Sequence, residues 1–158
     1  MNEKTDQTWR EDIILLKDNN INGVLFLCRE NAARSQLAEG IFRHMAPKGF
    51  PVFSAGSDPS YIDPLVEKVL SEVGIDSQGL KAKGIDSIDL KVGKVDAVVT
   101  LCAEEQCPMV AGDMLRVHWE LPDPRRRDEY LERLKEFRLV RDELLKRLQE
   151  WFDKPCLH

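Results

Sequence analysis

The sequence predicts a single α/β domain. Short apolar runs rich in strand-forming residues alternate with amphipathic, helix-like segments from about residue 22 to residue 152, which is typical of strands connected by helices. The chain has 158 residues, a length that suits one hydrophobic core. No internal repeat and no Pro/Gly/Ser-rich linker divides it. We therefore expect residues 21–158 to form one domain, preceded by a helical extension at residues 1–20.

Four apolar runs are predicted to be strands. They span residues 23–28, 51–54, 95–101 and 115–119. The first run is apolar throughout and ends at Cys28, as expected for a strand that is covered on both faces. The third run is followed directly by Cys102. Both of these strands therefore lead into a thiol.

Apolar residues at helical spacing predict three helices in the domain and one before it. The domain helices span residues 35–45, 64–73 and about 126–152. Pro47 and Gly74 end the first two. Trp9, Ile13 and Leu16 share the same spacing and predict a helix in the extension. We expect this helix to pack on the domain; the alternative is a surface for a partner or for self-association.

Composition and charge exclude several classes of protein. With 23 basic and 28 acidic residues the net charge is −5, so a nucleic-acid-binding surface over the whole molecule is not expected. No apolar stretch approaches the roughly 18 residues of a membrane span, and residues 1–17 do not resemble a signal peptide. The four cysteines are therefore expected to be thiols of a reducing cytoplasm, where paired cysteines tend to be catalytic or metal-binding.

The segment after the first predicted strand has the form of an anion-binding loop. Cys28 closes the strand, Arg34 follows six residues later, and Ser35 begins the next helix. Backbone N–H groups in such a loop can cradle an anion, and the helix N-terminus together with Arg34 favours the thiolate of Cys28. Asn31 tolerates a left-handed backbone and can tie the loop through its amide.

These features predict that Cys28 is a nucleophile and that its substrate is a tetrahedral oxyanion. The expected oxyanion-binding residues are Arg29, Glu30, Asn31, Ala32, Ala33, Arg34 and Ser35. The alternative is that Cys28 is a buried strand-end thiol and Arg34 an ordinary surface cation. The strand directly before the motif and the helix directly after it favour the functional interpretation.

Seven stretches in a fixed order carry a resemblance to a known family. They are residues 28–40, 54–56, 98–102, 107–108, 118–119, 123–124 and 136–143. Together they resemble the low-molecular-weight tyrosine phosphatase superfamily and, more closely, its thioredoxin-coupled arsenate reductases, over roughly residues 22–150. The resemblance implies a four-stranded parallel sheet of order 2-1-3-4 with helices on both faces, and an enzyme that reduces arsenate to arsenite.

The resemblance also implies a general acid. Asp123, followed by Pro124, stands where the superfamily carries the carboxyl group that protonates the leaving oxygen, and an anion site is expected to raise its pKa. The alternative is a plain turn, because Pro122-Asp123-Pro124 is good turn sequence. The basic run 125–127 is expected to be solvated; the alternative is that it recruits an anionic substrate or a reductase.

Cys102 and Cys107 follow the third predicted strand, at the edge of the sheet where the first strand also ends. The resemblance implies a relay: Cys28 binds arsenate, Cys102 attacks the Cys28 sulfur and expels arsenite, and Cys107 then attacks Cys102. Thioredoxin or a similar reductant restores the thiols. Two alternatives stay open, namely two unrelated thiols, or a zinc site formed by Cys102, Cys107, His118 and Cys156.

These alternatives correspond to two other functions. One is a low-molecular-weight tyrosine phosphatase, which needs only Cys28, Arg34 and Asp123. The other is a redox-responsive or zinc-binding interaction protein, in which the loop is inactive. For the reductase no cofactor and no metal ligand set is required; the one candidate ion that the resemblance implies is potassium, near Asn31, Glu39 and Ser54.

The loop departs from the family at two positions. The family commonly has a small residue and then glycine after the nucleophile, whereas this chain has Arg29 and Glu30. Glu30 brings a carboxylate close to a loop built for anions. A Glu30 side chain that points outward leaves the backbone N–H groups intact.

Overall fold

A computed structural model describes residues 3–88, 95–103, 110 and 112–152. Its helices are α1 (Glu3–Asp18), α2 (Arg34–Met45), α3 (Pro64–Ser71) and α4 (Tyr130–Phe152). Its strands are β1 (Val24–Cys28), β2 (Val52–Gly56), β3 (Ala97–Thr100) and β4 (Leu115–His118). Short 3-10 helices lie at Ile85–Ser87 and Pro124–Arg126. Each predicted strand and helix is present, with ends displaced by a few residues.

The four strands form one parallel sheet in the order β2-β1-β3-β4. This confirms the predicted fold and strand order. In the register of the sheet, Cys28 pairs with Gly56 and Leu27 pairs with Thr100. All four strands end at the same edge, and that edge therefore carries Cys28 together with the segments that follow β2, β3 and β4.

Strand β1 is buried from end to end, as its apolar sequence predicts. Because successive side chains of a strand point to opposite faces, Val24 and Phe26 enter the larger core while Leu25 and Leu27 enter a smaller one. All four described helices contribute to the larger core. There the ring of Phe26 meets the ring of Phe42 edge to face, with centroids 5.7 Å apart. The 3-10 helix Ile85–Ser87 packs against the smaller core.

Helix α1 packs against α4 and belongs to the main core. Its residues Trp9, Ile13 and Leu16 are buried, as their spacing predicts. A polar contact fixes the same helix, because the indole Nε1 of Trp119 donates a hydrogen bond of 3.0 Å to Asp12 Oδ2. The N-terminal helix is thus tied to the residue that follows β4. None of the described helices is long and apolar enough to cross a membrane.

The start of α4 differs most from its predicted position. The sequence places it near residue 126, but the helix begins at Tyr130. Asp123 instead caps the separate 3-10 turn Pro124–Arg126, and its side chain accepts a 3.0 Å hydrogen bond from the backbone N–H of Arg125. Pro124 suits the first position of this turn, since it needs no N–H partner there. The capped turn holds Asp123 in place before α4 begins.

Glu72 links the end of α3 to α4 through two arginines. Its carboxylate accepts hydrogen bonds from Arg138 Nε at 3.0 Å and from Arg141 Nη1 at 2.7 Å. The hydrogen bond from Arg138 is the main reason that the pKa of Glu72 is lowered to about 2; burial opposes the shift, and Arg141 adds to it. The pair of helices is therefore joined by an acid-sensitive contact.

Glu72→Gln is expected to lower the melting temperature by a few degrees at neutral pH. The pKa of Glu72 in the folded state lies below its ordinary value of 4.5. The contact therefore stabilises the fold fully at a pH above 4.5, and it loses its effect as the pH falls toward about 2. Thermal unfolding of both proteins between neutral and acid pH should thus show the difference shrinking. Glu67→Gln, an exposed carboxylate on α3, is the matched control. A difference that stays constant over this pH range would contradict the assignment.

Candidate active site

Two of the predicted thiols lie at the carboxyl edge of the sheet, on neighbouring strands. Cys28 is the last residue of β1, and Cys102 follows β3 after one intervening residue, Leu101. The backbone N–H of Leu101 donates a 2.8 Å hydrogen bond to the carbonyl of Leu27. This bond keeps the end of β1 paired with the segment after β3, up to the two cysteines. Both cysteines are buried. The topology therefore brings them together as the sequence predicts.

The segment after β2 holds the backbone of the predicted anion-binding loop, residues 29–33, in place. Its carbonyl groups at Arg29, Glu30 and Ala32 accept hydrogen bonds of 2.8 to 3.1 Å from backbone N–H groups within residues 58–63. In a planar trans peptide the C=O and the next N–H point in opposite directions. The N–H groups that follow these carbonyls are thus turned away from residues 58–63, as an anion cradle requires.

Side chains tie the loop to Cys28 in a continuous hydrogen-bonded set. Asn31 has a left-handed backbone, with φ of 52°, and its Nδ2 donates to Ser35 Oγ at 2.7 Å and to Ser54 Oγ at 3.0 Å. Ser35 Oγ lies 2.9 Å from Cys28 Sγ, and Ser54 Oγ donates to Glu39 Oε1 at 2.6 Å. We call these five residues the Asn31 network. All five are buried, so the network sets the position of the thiol.

Gly56, at the end of β2, lies directly against the loop. A β-carbon at this position would stand 2.5 Å from the carbonyl oxygen of Arg29 and 2.8 Å from the backbone N of Asn31. Carbon atoms do not approach backbone atoms so closely without displacing them. Glycine is therefore required here so that strand and loop can touch backbone to backbone.

Arg34 begins α2 and is buried, with 7% of its surface exposed. Its Nη1 donates a 3.1 Å hydrogen bond to the carbonyl of Leu121, and its Nη2 lies 3.9 Å from Asp123 Oδ2. A buried guanidinium that is anchored at one nitrogen keeps other donors for an oxyanion. The structure places Cys28, Arg34 and Asp123 around one site, although Asp123 comes from a segment far from the Cys28 loop in sequence.

The carboxyl of Asp123 is more acidic than expected. Burial raises the pKa of Asp123, but hydrogen bonds from the backbone and side chain of Arg125, together with the charge of Arg34, outweigh it and leave the pKa below its ordinary value. The expectation of a raised pKa is thus wrong. The reason is that two arginines, Arg34 and Arg125, lie beside the carboxylate.

Glu30 pairs with Arg125. Arg125 Nη2 lies 2.7 Å from Glu30 Oε2 and 3.2 Å from Asp123 Oδ2. The hydrogen bond from Arg125 is the first cause that lowers the pKa of Glu30. Arg125 is therefore not the solvated residue that the sequence suggested; it joins the loop to the segment that carries Asp123. This contact is the functional detail that sequence reasoning missed, and the two residues are 95 positions apart.

A cavity of about 410 Å³ opens between the loop and the Asp123 segment. Its lining residues include Glu30, Tyr61, Asp123, Arg125 and Arg133. Tyr61 has 81% of its surface exposed and gives the cavity an aromatic wall. A substrate that reaches the loop through this cavity passes the carboxyl of Asp123.

The other predicted residues are placed as follows. Cys28 is a free thiol, as expected, whereas Cys102 is part of a disulfide, which differs from the expectation of four thiols. Cys107 and Cys156 lie outside the described residues. His118 is exposed, and its Nδ1 lies 2.6 Å from Thr100 Oγ1. In the part of the chain that the structure describes, no group of three His, Cys, Asp or Glu side chains could hold a metal ion.

Comparison with known proteins identifies the family. Residues 23–155 match the model of the low molecular weight phosphotyrosine protein phosphatase family. The arsenate reductase of Bacillus subtilis is 38% identical over 131 residues, which cover 81% of this chain and 93% of the relative. The solved arsenate reductase of Archaeoglobus fulgidus superposes with a TM-score of 0.62 and 31% identity, over 78% of this chain and 96% of that one. A thioredoxin-dependent arsenate reductase of Corynebacterium glutamicum gives a TM-score of 0.57 and 31% identity, over 89% and 70%.

These matches confirm the resemblance that the sequence motifs carry. The family model spans almost the whole domain, including the loop after Cys28 and the segment of Asp123. The relatives are matched over most of their own length. The chain therefore belongs to the low molecular weight phosphotyrosine protein phosphatase family, and within it to the arsenate reductases.

Proposed function

We propose that this chain reduces arsenate to arsenite, with Cys28 as the nucleophile and Cys102 as the second thiol. The observation that carries the proposal is the position of Cys28 in an anion-binding loop next to the end of β3, where Cys102 follows. A phosphatase needs the loop and the acid but gains nothing from a second thiol at this place. The relatives named above, which are arsenate reductases, support the same activity.

In the first step the loop N–H groups and the Arg34 guanidinium hold arsenate through its oxygens. The thiolate of Cys28 attacks arsenic, and a sulfur–arsenic bond forms as one oxygen leaves as water. Asp123 supplies the proton to this oxygen. Because its lowered pKa leaves the carboxyl of Asp123 ionised at neutral pH, its proton arrives with the substrate: dihydrogen arsenate carries exchangeable protons, and the negative charge of the substrate beside Asp123 raises the pKa of the carboxyl.

The second step is the redox step. Cys102 attacks the sulfur of Cys28 and a disulfide forms between them, while the electron pair of the sulfur–arsenic bond passes to arsenic, which leaves as arsenite. Cys107 then attacks the sulfur of Cys102. Cys28 is released as a thiolate, and the new disulfide joins Cys102 and Cys107. This last step leaves Cys102 in a disulfide and Cys28 as a thiol. The two cysteines have the same states in the structure, which supports the proposed order of steps.

The cycle closes when an external dithiol reduces the new disulfide. Thioredoxin fits this role, because its dithiol is a strong enough reductant for protein disulfides, and one structural relative is thioredoxin-dependent. The electrons come from thiols throughout, so the cycle as proposed uses no bound organic cofactor. A reaction that must return to free thiols belongs in a reducing compartment, and we therefore place it in the cytoplasm.

Purified protein is expected to oxidise NADPH in an arsenate-dependent manner when thioredoxin and thioredoxin reductase are present. The same preparation is tested with an aryl phosphate, and the arsenate-dependent oxidation is expected whether or not this ester is hydrolysed, because the second thiol serves only the redox step. Cys28→Ser is the control for both reactions. Rapid aryl phosphate hydrolysis without arsenate-dependent oxidation would replace the proposal with the phosphatase alternative.

A further inference from the structure

Lys83 places its ammonium group on the Asn31 network. Lys83 Nζ donates a 2.9 Å hydrogen bond to the carbonyl of Lys81 and lies 3.4 Å from Glu39 Oε1 and 3.5 Å from Ser54 Oγ. An ammonium group has three donors and no acceptor, and here it faces three oxygen atoms. Its side chain is only 19% exposed. The Lys83 ammonium is thus partly buried, and each of its three N–H donors has an oxygen acceptor from the chain itself.

The backbone of Lys83 holds the same network at a second point. Its N–H donates a 2.8 Å hydrogen bond to Asn31 Oδ1, which also accepts from Gln36 Nε2 at 2.9 Å. The amide of Asn31 is therefore engaged at both ends, by Lys83 and Gln36 on its oxygen and by Ser35 and Ser54 on its nitrogen. Since Ser35 contacts the thiol of Cys28, the position of Lys83 is transmitted to the nucleophile.

The charges around Glu39 are balanced without any added ion. The Glu39 carboxylate is 3% exposed, and a buried carboxylate is costly unless it is paired. Its Oε1 faces Lys83 and its Oε2 pairs with Arg43 on the next turn of α2. Two cationic side chains for one carboxylate leave no uncompensated negative charge at this position.

Potassium does not fit this arrangement. The resemblance implies the ion near Asn31, Glu39 and Ser54, but the oxygens of Glu39 and Ser54 already face the Lys83 ammonium and the Asn31 oxygen accepts two N–H groups. A potassium ion at these oxygens would have to displace a covalently attached ammonium whose side chain is only 19% exposed. The residues present therefore supply the cation themselves.

We propose that Lys83 is a positioning residue whose ammonium acts as the built-in cation of the Asn31 network, so that the Cys28 loop is ordered without potassium. The proposal rests on the proposed function only in that it takes Cys28 as the nucleophile. Its test uses no arsenate, so a failure of arsenate reduction and a failure of this proposal are separate results.

The first measurement compares potassium chloride with tetramethylammonium chloride at equal concentration. In each salt, the rate of alkylation of Cys28 by iodoacetamide at pH 7 is followed by mass spectrometry, and the melting temperature of the wild type is recorded. We expect both quantities to agree between the two salts at all concentrations. A saturable rise of either quantity that is specific to potassium would overturn the proposal, and this comparison needs no variant.

The second measurement removes the charge. Lys83→Met keeps the aliphatic stem and is expected to slow the alkylation of Cys28 at pH 7 by about 3- to 30-fold, the usual range for a mutation that acts through a packed network. Lys83→Arg should restore the rate, and Lys83→Asp should make it rise with potassium but not with tetramethylammonium. Lys81→Met, an exposed lysine that contributes only its backbone carbonyl, is the matched control. A wild-type rate in Lys83→Met, an equal loss in Lys81→Met, or a Lys83→Asp variant indifferent to potassium would each count against a cationic role.

Discussion

Cys102→Ser is expected to abolish arsenate turnover and to spare any hydrolysis of aryl phosphate. The serine variant keeps the anion-binding loop, Arg34 and Asp123, so the oxyanion still binds and Cys28 still attacks. A hydroxyl, however, is a poor nucleophile toward sulfur at neutral pH, and the electron pair that arsenic needs has no other source. The NADPH-coupled assay and the release of aryl alcohol, measured on one preparation, separate the two reactions.

Cys107→Ser is the informative partner of this variant, because it should stop one step later. Here Cys102 can still expel arsenite, so about one equivalent of arsenite is expected per enzyme before turnover ceases with a disulfide between Cys28 and Cys102. Mass spectrometry of peptides after arsenate exposure identifies the bond in each protein. If both variants continue through many turnovers, or if the wild type forms no arsenate-dependent disulfide, the relay is wrong.

Asp123→Asn is expected to slow the first step by about 100-fold or more, the usual contribution of a general acid. Asparagine is as good an N-cap as aspartate, so it can still accept the hydrogen bond from the backbone N–H of Arg125 that caps the 3-10 turn. The substitution therefore removes the proton donor and keeps the turn. Single-turnover kinetics with arsenate measures the step, and thermal unfolding checks that the fold is unchanged.

The control for this variant is Asp128→Asn, which removes the same charge from an exposed position five residues later. It should keep the wild-type rate. If Asp123→Asn also keeps that rate with a normal melting temperature, Asp123 is only the cap of its turn. The leaving oxygen would then have to take its proton from the substrate itself.

The fold could be predicted because its signals are local. Strand β1 reads as apolar at every position, and its side chains do enter cores on both faces of the sheet. The start of α4 was misplaced because the basic residues before Tyr130 are compatible with a helix, whereas the capped 3-10 turn depends on the side chain of Asp123. Local propensity marks the existence of an element more reliably than its end.

The candidate site was predictable only in part, for a related reason. Cys28 and Arg34 lie within one loop, and their spacing carries the chemistry. The contacts that orient the site join distant segments: Arg125 reaches Glu30 across 95 positions, and Lys83 reaches Glu39 across 44. Nothing in the neighbourhood of Lys83 distinguishes it from any surface lysine, since its role arises from the tertiary fold alone.

The backbone contact at Gly56, together with the outward carbonyls of the loop, has a consequence for selectivity. Contacts within the chain itself hold the loop in shape, so its ordering is part of folding and does not weaken binding. A rigid loop that fits a tetrahedral anion, however, holds phosphate as readily as arsenate, because the two anions have the same charge and geometry. Discrimination must then follow binding: thiols reduce arsenic(V) by two electrons but do not reduce phosphorus(V). In the proposed cycle the attack of Cys102 is thus the step that distinguishes the two anions, and phosphate is expected to compete for the loop without being consumed.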